Sequence, residues 1–345
     1  MDVQKILTDA AAKVGPSGQE MEVAEYFAEQ FRPFVDEVTV DSMFNVIAHK
    51  KGTGPKVALF AHMDEIGLMV VAIEEDGSLR LGNVGGVDPR ILPACRVWVH
   101  GKEKLFGTIG ALPPHLMKAE DQKQNYRRED LYVDVGLPAE KVRELVRVGD
   151  IVTFNVPSTP LLNGQFAAKT MDDRACVTML AETAERLRKL QCDADVYFVG
   201  STQEEVGSRG AKTAAYALDP DLAIAIDVDH ATIPGSRPNT TVDLDSLCAS
   251  IGPFLQPKLL KRLIDCAAAH HVKLQTTVAE RNTYTDGDDV ALARAGVPVV
   301  LLSLPLKYMH TTVETLDIQA LKEGSRLLSH FLSELDAGWE DDLWI

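Results

Sequence analysis

The segment Val57-Ala-Leu-Phe-Ala-His-Met-Asp-Glu65 holds five apolar residues in a row and then turns abruptly ionisable. A run that is apolar at every position, rather than at alternate ones, predicts a strand covered on both faces. His62 and Asp64 then stand just past its carboxyl end. Three more such runs follow at 195–200, 222–226 and 297–302, and helical patterns occupy 174–190, 208–216, 257–271, 288–295 and 317–335. This alternation predicts an α/β fold, a mainly parallel sheet with helices on both faces. Toward the amino terminus, helical patterns at 3–13 and 19–31 flank the turn Gly15-Pro-Ser-Gly18, and short strands are expected at 38–40 and 45–49.

Between 68 and 153 the texture changes to short β-type segments at 68–73, 78–81, 96–100, 131–134 and 150–153, punctuated by Gly, Pro and Asp. A chain of 345 residues exceeds the roughly 250–300 at which one core stops growing. The expected organisation is therefore a discontinuous catalytic domain, 1–67 and 154–345, interrupted by a small β domain at 68–153. Within the insertion, 118–130 is dense in charged and amide side chains without apolar periodicity and reads as a surface loop.

The chain carries 35 basic and 51 acidic side chains, a formal charge of −16. Its basic clusters, such as Lys258 to Arg262, are short, which argues against nucleic acid or anionic membranes as partners. The five cysteines, Cys95, Cys176, Cys192, Cys248 and Cys266, are scattered and never form a CxxC pair, as expected in a reducing compartment. The amino-terminal MDVQKILTDAAAKVG has no export-signal pattern, and no run approaches a membrane span. A cytoplasmic location is expected.

Four predicted strands deliver ionisable residues at or near their carboxyl ends: His62 and Asp64, Glu204 and Glu205, Asp227, and, through Leu304-Pro-Leu-Lys-Tyr-Met, His310. Asp172 and Asp173 add a pair in the loop entering the 174–190 helix. Open α/β sheets bind ligands at that edge. Singly, each of these residues reads as a solvated loop carboxylate or a hydrogen-bonded histidine. Together, the adjacent pairs Asp172-Asp173 and Glu204-Glu205 would repel at one sheet edge without a compensating cation. Two imidazoles, several carboxylates and no thiolate suit zinc, cobalt or manganese. The set is large enough for two ions roughly 3.5–4 Å apart sharing a carboxylate, with Asp64 orienting the His62 ring.

These residues stand in an order that resembles the tetrahedral (TET) metalloaminopeptidases, peptidase family M-forty-two, which includes glutamyl aminopeptidases. The resemblance spans the chain through Gly15-Pro-Ser-Gly-Gln-Glu20, Ala61-His-Met-Asp-Glu-Ile-Gly67, Pro113-Pro-His115, Met171-Asp-Asp-Arg174, Thr202-Gln-Glu-Glu-Val-Gly207, Ile226-Asp-Val228 and Tyr308-Met-His310. It implies that His62, Asp172, Glu205, Asp227 and His310 bind two divalent ions, zinc or cobalt with manganese as a third choice, and that Asp172 bridges them. Glu204 becomes the general base and Asp64 the group that steers His62. The implied activity is release of single residues from peptides with a free amino terminus. The implied fold is an α/β peptidase core interrupted by a β-barrel-like dimerisation domain, with dimers assembling into a tetrahedral dodecamer.

The chain departs from the family pattern at Cys176, Lys307 and Tyr284, none of them a proposed ligand. Cys176 reads as a helix-core thiol. Lys307 or Arg281 could serve a glutamyl preference or stand as surface charges, so specificity stays open. His115 reads equally as a surface imidazole or as a group reaching a neighbouring subunit's site, and 118–130 as a gate or a solvated loop. The nearest rival is a two-metal carboxypeptidase or N-deacylase, which typically inserts its second domain between the fourth ligand and the last His. A glycosidase such as an endoglucanase is less favoured: the three tryptophans, Trp98, Trp339 and Trp344, are remote in sequence from the carboxylates. The carboxyl-terminal Leu343-Trp-Ile345 reads as a docking segment or a frayed end.

Overall fold

The computed structural model describes residues 1–237, 240–336 and 338–340. Leu343-Trp-Ile345 lies outside the described residues. The chain folds into two compact units, one of Met1–Asp64, Ser158–Met309 and Val313–Ile345, the other of Glu65–Pro157 with His310–Thr312.

In the first unit, the helices α1 (Val3–Ala12) and α2 (Met21–Phe31) precede strands β1 (Glu37–Val40), β2 (Val46–Lys50) and β3 (Lys56–His62). Asp2 caps α1 by accepting from the Lys5 amide at 3.1 Å, as a short oxygen-bearing side chain does for an unpaired first-turn N–H. The second unit follows: β4 (Gly67–Ile73), β5 (Leu79–Val84), β6 (Arg96–His100), β7 (Lys104–Ala111), β8 (Leu131–Asp134), helix α3 (Ala139–Leu145) and β9 (Ile151–Phe154). Its six strands close into a barrel in the order β4-β5-β8-β7-β6-β9. Closure leaves no strand edge unpaired. The interior is a separate core of Leu68, Val70, Leu79, Val97, Val99, Val133 and Val152, with Val142 of α3 packed into it.

The chain then returns to the first unit through β10 (Thr159–Pro160), β11 (Gln165–Ala168), α4 (Met171–Leu187), β12 (Asp195–Ser201), α5 (Arg209–Leu218), β13 (Leu222–His230), β14 (Leu247–Ile251), α6 (Pro257–Ala269), β15 (Leu274–Val278), α7 (Asp286–Val290), β16 (Val299–Leu306), β17 (Glu314–Asp317) and α8 (Ile318–Ser333). An eight-stranded sheet runs β1-β2-β12-β3-β13-β16-β14-β15, and its four central strands are parallel to one another. Strands β10, β11 and β17 form a small antiparallel sheet. The stretch between Asp227 and His310 therefore adds strands and helices to this unit rather than building another domain, unlike the carboxypeptidase arrangement.

Both faces of the central strands are covered. Val57, Leu59, Leu222, Ile224 and Ile226 pack with Leu7 of α1, Phe27 and Phe31 of α2, Leu180 of α4 and Leu327 of α8. On the other face, Ala58, Phe60, Ala223 and Ala225 pack with Ala211 and Ala215 of α5 and Val290 of α7. Each fully buried large side chain contributes roughly 1.5–3 kcal/mol, which is why these strands show no polar alternation. Strand β12 pairs with β3 on one side and β13 pairs with it on the other. The connection from β12 to β13 thus passes over β3, and open α/β sheets bind ligands outside the carboxyl ends of the strands at such a reversal of order. No helix among the described residues is long and apolar enough to cross a membrane.

Candidate metal centre

His62 is the last residue of β3, and Glu204 and Glu205 follow the end of β12. Asp227 is different: sequence periodicity ends its strand at 226, but β13 continues to His230, so this carboxylate lies inside the strand and is buried. Asp172 and Asp173 sit in the first turn of α4, where both depart from helical φ/ψ and are joined by a cis peptide bond. Both are buried.

Around His62 two groups of side chains gather. His62, Asp172 and Glu205 offer ligand atoms within 4.8 Å of one another, as do His62, Asp173 and Asp227. The Nε2 of His62 stands 3.1 Å from Asp172 Oδ1, close to the spacing of roughly 3–3.4 Å between two ligands that each lie about 2.1 Å from one ion. The other ring nitrogen, Nδ1, is 3.4 Å from Asp64 Oδ1. Asp64 is fully buried and anchors far more than the imidazole. Its Oδ1 accepts from the Glu204 amide at 3.0 Å and its Oδ2 from the Glu205 amide at 3.2 Å and the Ser17 hydroxyl at 2.6 Å. One carboxylate thus fixes the His62 ring and the backbone of both glutamates.

Burial would raise Asp64, yet the His62 imidazole, Ser17 and the Glu204 amide hold it below the ordinary carboxylate range. The neighbouring acids behave oppositely. Glu204 is pushed up to about 9 by burial and by the charges of Asp227, Asp286 and Asp64. Asp173 and Asp227 are raised well above their usual value by burial and by the neighbouring carboxylates. Burial disfavours protonated His62, but Asp172 and Asp64 outweigh it and hold the ring's pKa well above normal. A field that keeps a proton on a buried imidazole and on several carboxyls is one that a divalent cation satisfies better. Two buried carboxylate oxygens, Asp173 Oδ1 and Asp286 Oδ1, also lack a hydrogen-bond partner. On these grounds the residues fit a divalent ion.

The other named residues fall as follows. His310 belongs to the barrel-containing unit, where its Nδ1 lies 3.0 Å from the Gly86 carbonyl oxygen. Cys176 is a buried thiol of α4, and burial together with the nearby Asp173 charge pushes it well above the ordinary thiol value. His115 lies in a one-turn 3-10 helix of the barrel-containing unit and is exposed. Segment 118–130 contains two further 3-10 turns.

Sequence reasoning did not assign roles to several residues that build the site. Asp286 begins α7, is buried, and accepts a hydrogen bond from Ser201 Oγ. Glu20 accepts from the amides of Gly18 at 2.8 Å and Gln203 at 3.1 Å, tying the amino-terminal turn to the residue before Glu204. Arg174, wholly buried, donates to the carbonyls of Met63, Ala10 and Lys13 at 2.8, 2.7 and 2.9 Å. The signal for Ser17, Glu20 and Arg174 was present in the motifs that hold them. Their partners, 47, 183 and up to 164 residues away, were not.

A sequence profile of the M42 glutamyl aminopeptidase family matches residues 45–327. The chain belongs to that family. It is 37% identical to a lysyl aminopeptidase of Pyrococcus furiosus over 93% of this chain and 94% of the relative. The solved TET aminopeptidase of a marine sediment archaeon of the Thaumarchaeota superposes with a TM-score of 0.94 at 28% identity, covering 99% of this chain and 98% of that one. A second solved neighbour is the Pyrococcus horikoshii TET1 peptidase, which can assemble into a tetrahedron or a large octahedral shell. Its TM-score is 0.85 at 30% identity, with 97% of this chain and 100% of that chain covered. The α/β core carrying a closed six-stranded barrel is the architecture shared with these TET structures.

Proposed function

We propose that this M42 chain is a two-metal aminopeptidase that releases single amino-terminal residues from peptides. The observation that carries the proposal is the cluster of buried His62, Asp172, Asp173 and Asp227 with half-buried Glu205, organised from behind by Asp64. His62, Asp172, Glu205 and Asp227 would hold two divalent ions, and the family pattern adds His310 as a fifth ligand. When bound, such ions polarise a scissile carbonyl and acidify water. Glu204 takes the proton of the attacking water and returns it to the leaving amine. Its backbone is held by Asp64, so the carboxylate is presented at a fixed place. The carboxylate-rich surroundings also attract the substrate's free α-ammonium group, which favours an exopeptidase.

Asp227 and Asp229 lie two apart on β13 and so share a face. Asp229 opens onto a cavity of about 640 Å³ lined also by Ser250, Thr277, Glu280, Thr283 and Ser303. No Lys or Arg is among its described lining residues, and neither Arg281 nor Lys307 is one of them. Two acids and several hydroxyls suit a cationic side chain better than an acidic one. We assign this cavity to the side chain of the residue released, with a preference for Lys or Arg over Glu. The name of the Pyrococcus furiosus relative, a lysyl aminopeptidase, supports the same reading.

Hydrolysis of a panel of amino-acyl anilides and amino-acetylated controls by metal-stripped enzyme, with and without Zn²⁺, Co²⁺ or Mn²⁺, tests the whole reading. Metal-restored cleavage of free amino termini only, ranked Lys and Arg above Glu, is expected. Cleavage of blocked or carboxyl-terminal substrates would sink the assignment in favour of a deacylase or carboxypeptidase.

A further inference from the structure

Apart from the carboxylate-rich centre, the first unit holds one more convergence of ligand-type side chains among its described residues. Cys266 lies in the last turn of α6 and His270 is the residue that caps it, four positions on, which brings the two side chains to the same side of the helix end. Glu334, immediately after α8, completes a trio whose sulfur, ring-nitrogen and carboxylate-oxygen atoms all lie within 4.8 Å of one another. We propose that Cys266, His270 and Glu334 form a zinc site that clasps the carboxyl ends of α6 and α8. It shares no residue with the proposed catalytic set and does not depend on the peptidase reading.

The trio is held in place by its surroundings. His270 Nε2 is 2.9 Å from Glu334 Oε1. The ring stacks on His330 of α8, with centroids 3.7 Å apart and planes 11° from parallel. Arg326 Nη1 donates to the His270 carbonyl oxygen at 2.7 Å. Three protein ligands leave one position of a tetrahedral ion open. A cavity of about 280 Å³ lined by Cys266, Glu334, Arg262 and Phe331 gives that position room for water.

Charge and softness choose the ion. One thiolate and one carboxylate balance a divalent charge, and the thiolate with an imidazole selects zinc or cobalt over magnesium, calcium or manganese. Binding releases the Cys266 thiol proton to solvent as the sulfur–metal bond forms. The catalytic candidates offer only imidazole and carboxylate ligands, so a thiolate bond to metal is the distinguishing mark of this second site.

The test is a Co²⁺ titration of the full-length, metal-stripped enzyme followed by absorbance. A thiolate-to-cobalt charge-transfer band in the near ultraviolet should saturate at roughly one cobalt per chain and disappear when Zn²⁺ displaces cobalt. Cys266→Ser should abolish the band. His270→Gln, which keeps the thiol, should weaken cobalt binding at this site by at least about tenfold. In both variants, metal-restored peptidase activity should remain, and bound zinc should fall by roughly one per chain. The proposal is overturned if the wild type gives no thiolate band, if the band survives Cys266→Ser, or if His270→Gln binds this cobalt as tightly as the wild type. If Cys266→Ser fails to fold, His270→Gln alone decides.

Discussion

Asp64 places both carboxylate oxygens on amides or hydroxyls of the site while standing beside the His62 ring. Asparagine cannot accept from both glutamate amides and Ser17 at once. Asp64→Asn is therefore expected to weaken metal affinity by roughly 10–100-fold, read by competition with a chelating dye. Glu204→Gln should separate the roles, keeping the metal content while kcat falls by roughly 10²–10⁴. Loss of metal together with activity would make Glu204 a ligand instead of a base.

Glu20 provides a pH test at the same scale. Burial first, and then the Asp64 charge, push it up to about 7, against the pull of the Gly18 and Gln203 amides. A carboxyl raised above its unfolded value is stabilising when protonated. That contribution is complete below the unfolded pKa and is lost as pH rises through the folded one. For Glu20 the loss runs from about 4.5 to about 7, and with 1.36 kcal/mol per unit it amounts to roughly 3 kcal/mol at most. Both amides donate to Oε1, which the Gln amide oxygen can replace. Urea unfolding of chelated protein should show a shallower decline with pH for Glu20→Gln than for the wild type; equal slopes would mean that Glu20 carries no such strain.

Among the elements, α4 is positioned by its first turn. Arg174 reaches from it to the carbonyls at the end of α1 and to Met63 beside His62. Gly15 makes room for that guanidinium: a Cβ there would stand 2.6 Å from Arg174 Nη2 and 2.7 Å from Val23 Cγ1. Neither neighbour can retreat, since both are fully buried. Gly15→Ala should cost roughly 1–3 kcal/mol by overpacking, measured by denaturant unfolding of the metal-loaded enzyme, with metal affinity falling as α4 shifts.

The long apolar strands and amphipathic helices were legible from periodicity, because two-sided burial and one-sided burial leave different patterns. Sequence reading passed over β7, where glycines interrupt the alternation, and α3, a short helix entered from Pro138. It also passed over β14 and β15. The pattern at 288–295 suggested a longer α7, but the helix stops at Val290, before Arg294 and Gly296 adopt positive φ.

At the level of the whole molecule, the barrel carries its own core and leaves apolar Val71 and Phe106 exposed on its strands. The solved TET relatives form homo-oligomers. A tetrahedral dodecamer is the expected assembly, and native mass spectrometry of untagged protein at micromolar concentration checks it. A monomer under those conditions would contradict the reading of the barrel as a dimerisation domain.

The order and chemistry of His62, Asp64, Asp172, Glu204, Glu205, Asp227 and His310 along the chain were determined by the sequence alone. So was the α/β alternation, since both are local properties of composition and period. Tertiary structure decided what those residues touch. It joined Asp64 to amides 140 and 141 residues away, put Asp227 inside a strand, and opened the Asp229 cavity on the same face. It also brought His270 to Glu334 across 64 positions. Such contacts depend on sheet order and helix packing, which the hydrophobic effect selects over the whole chain and which no local pattern encodes.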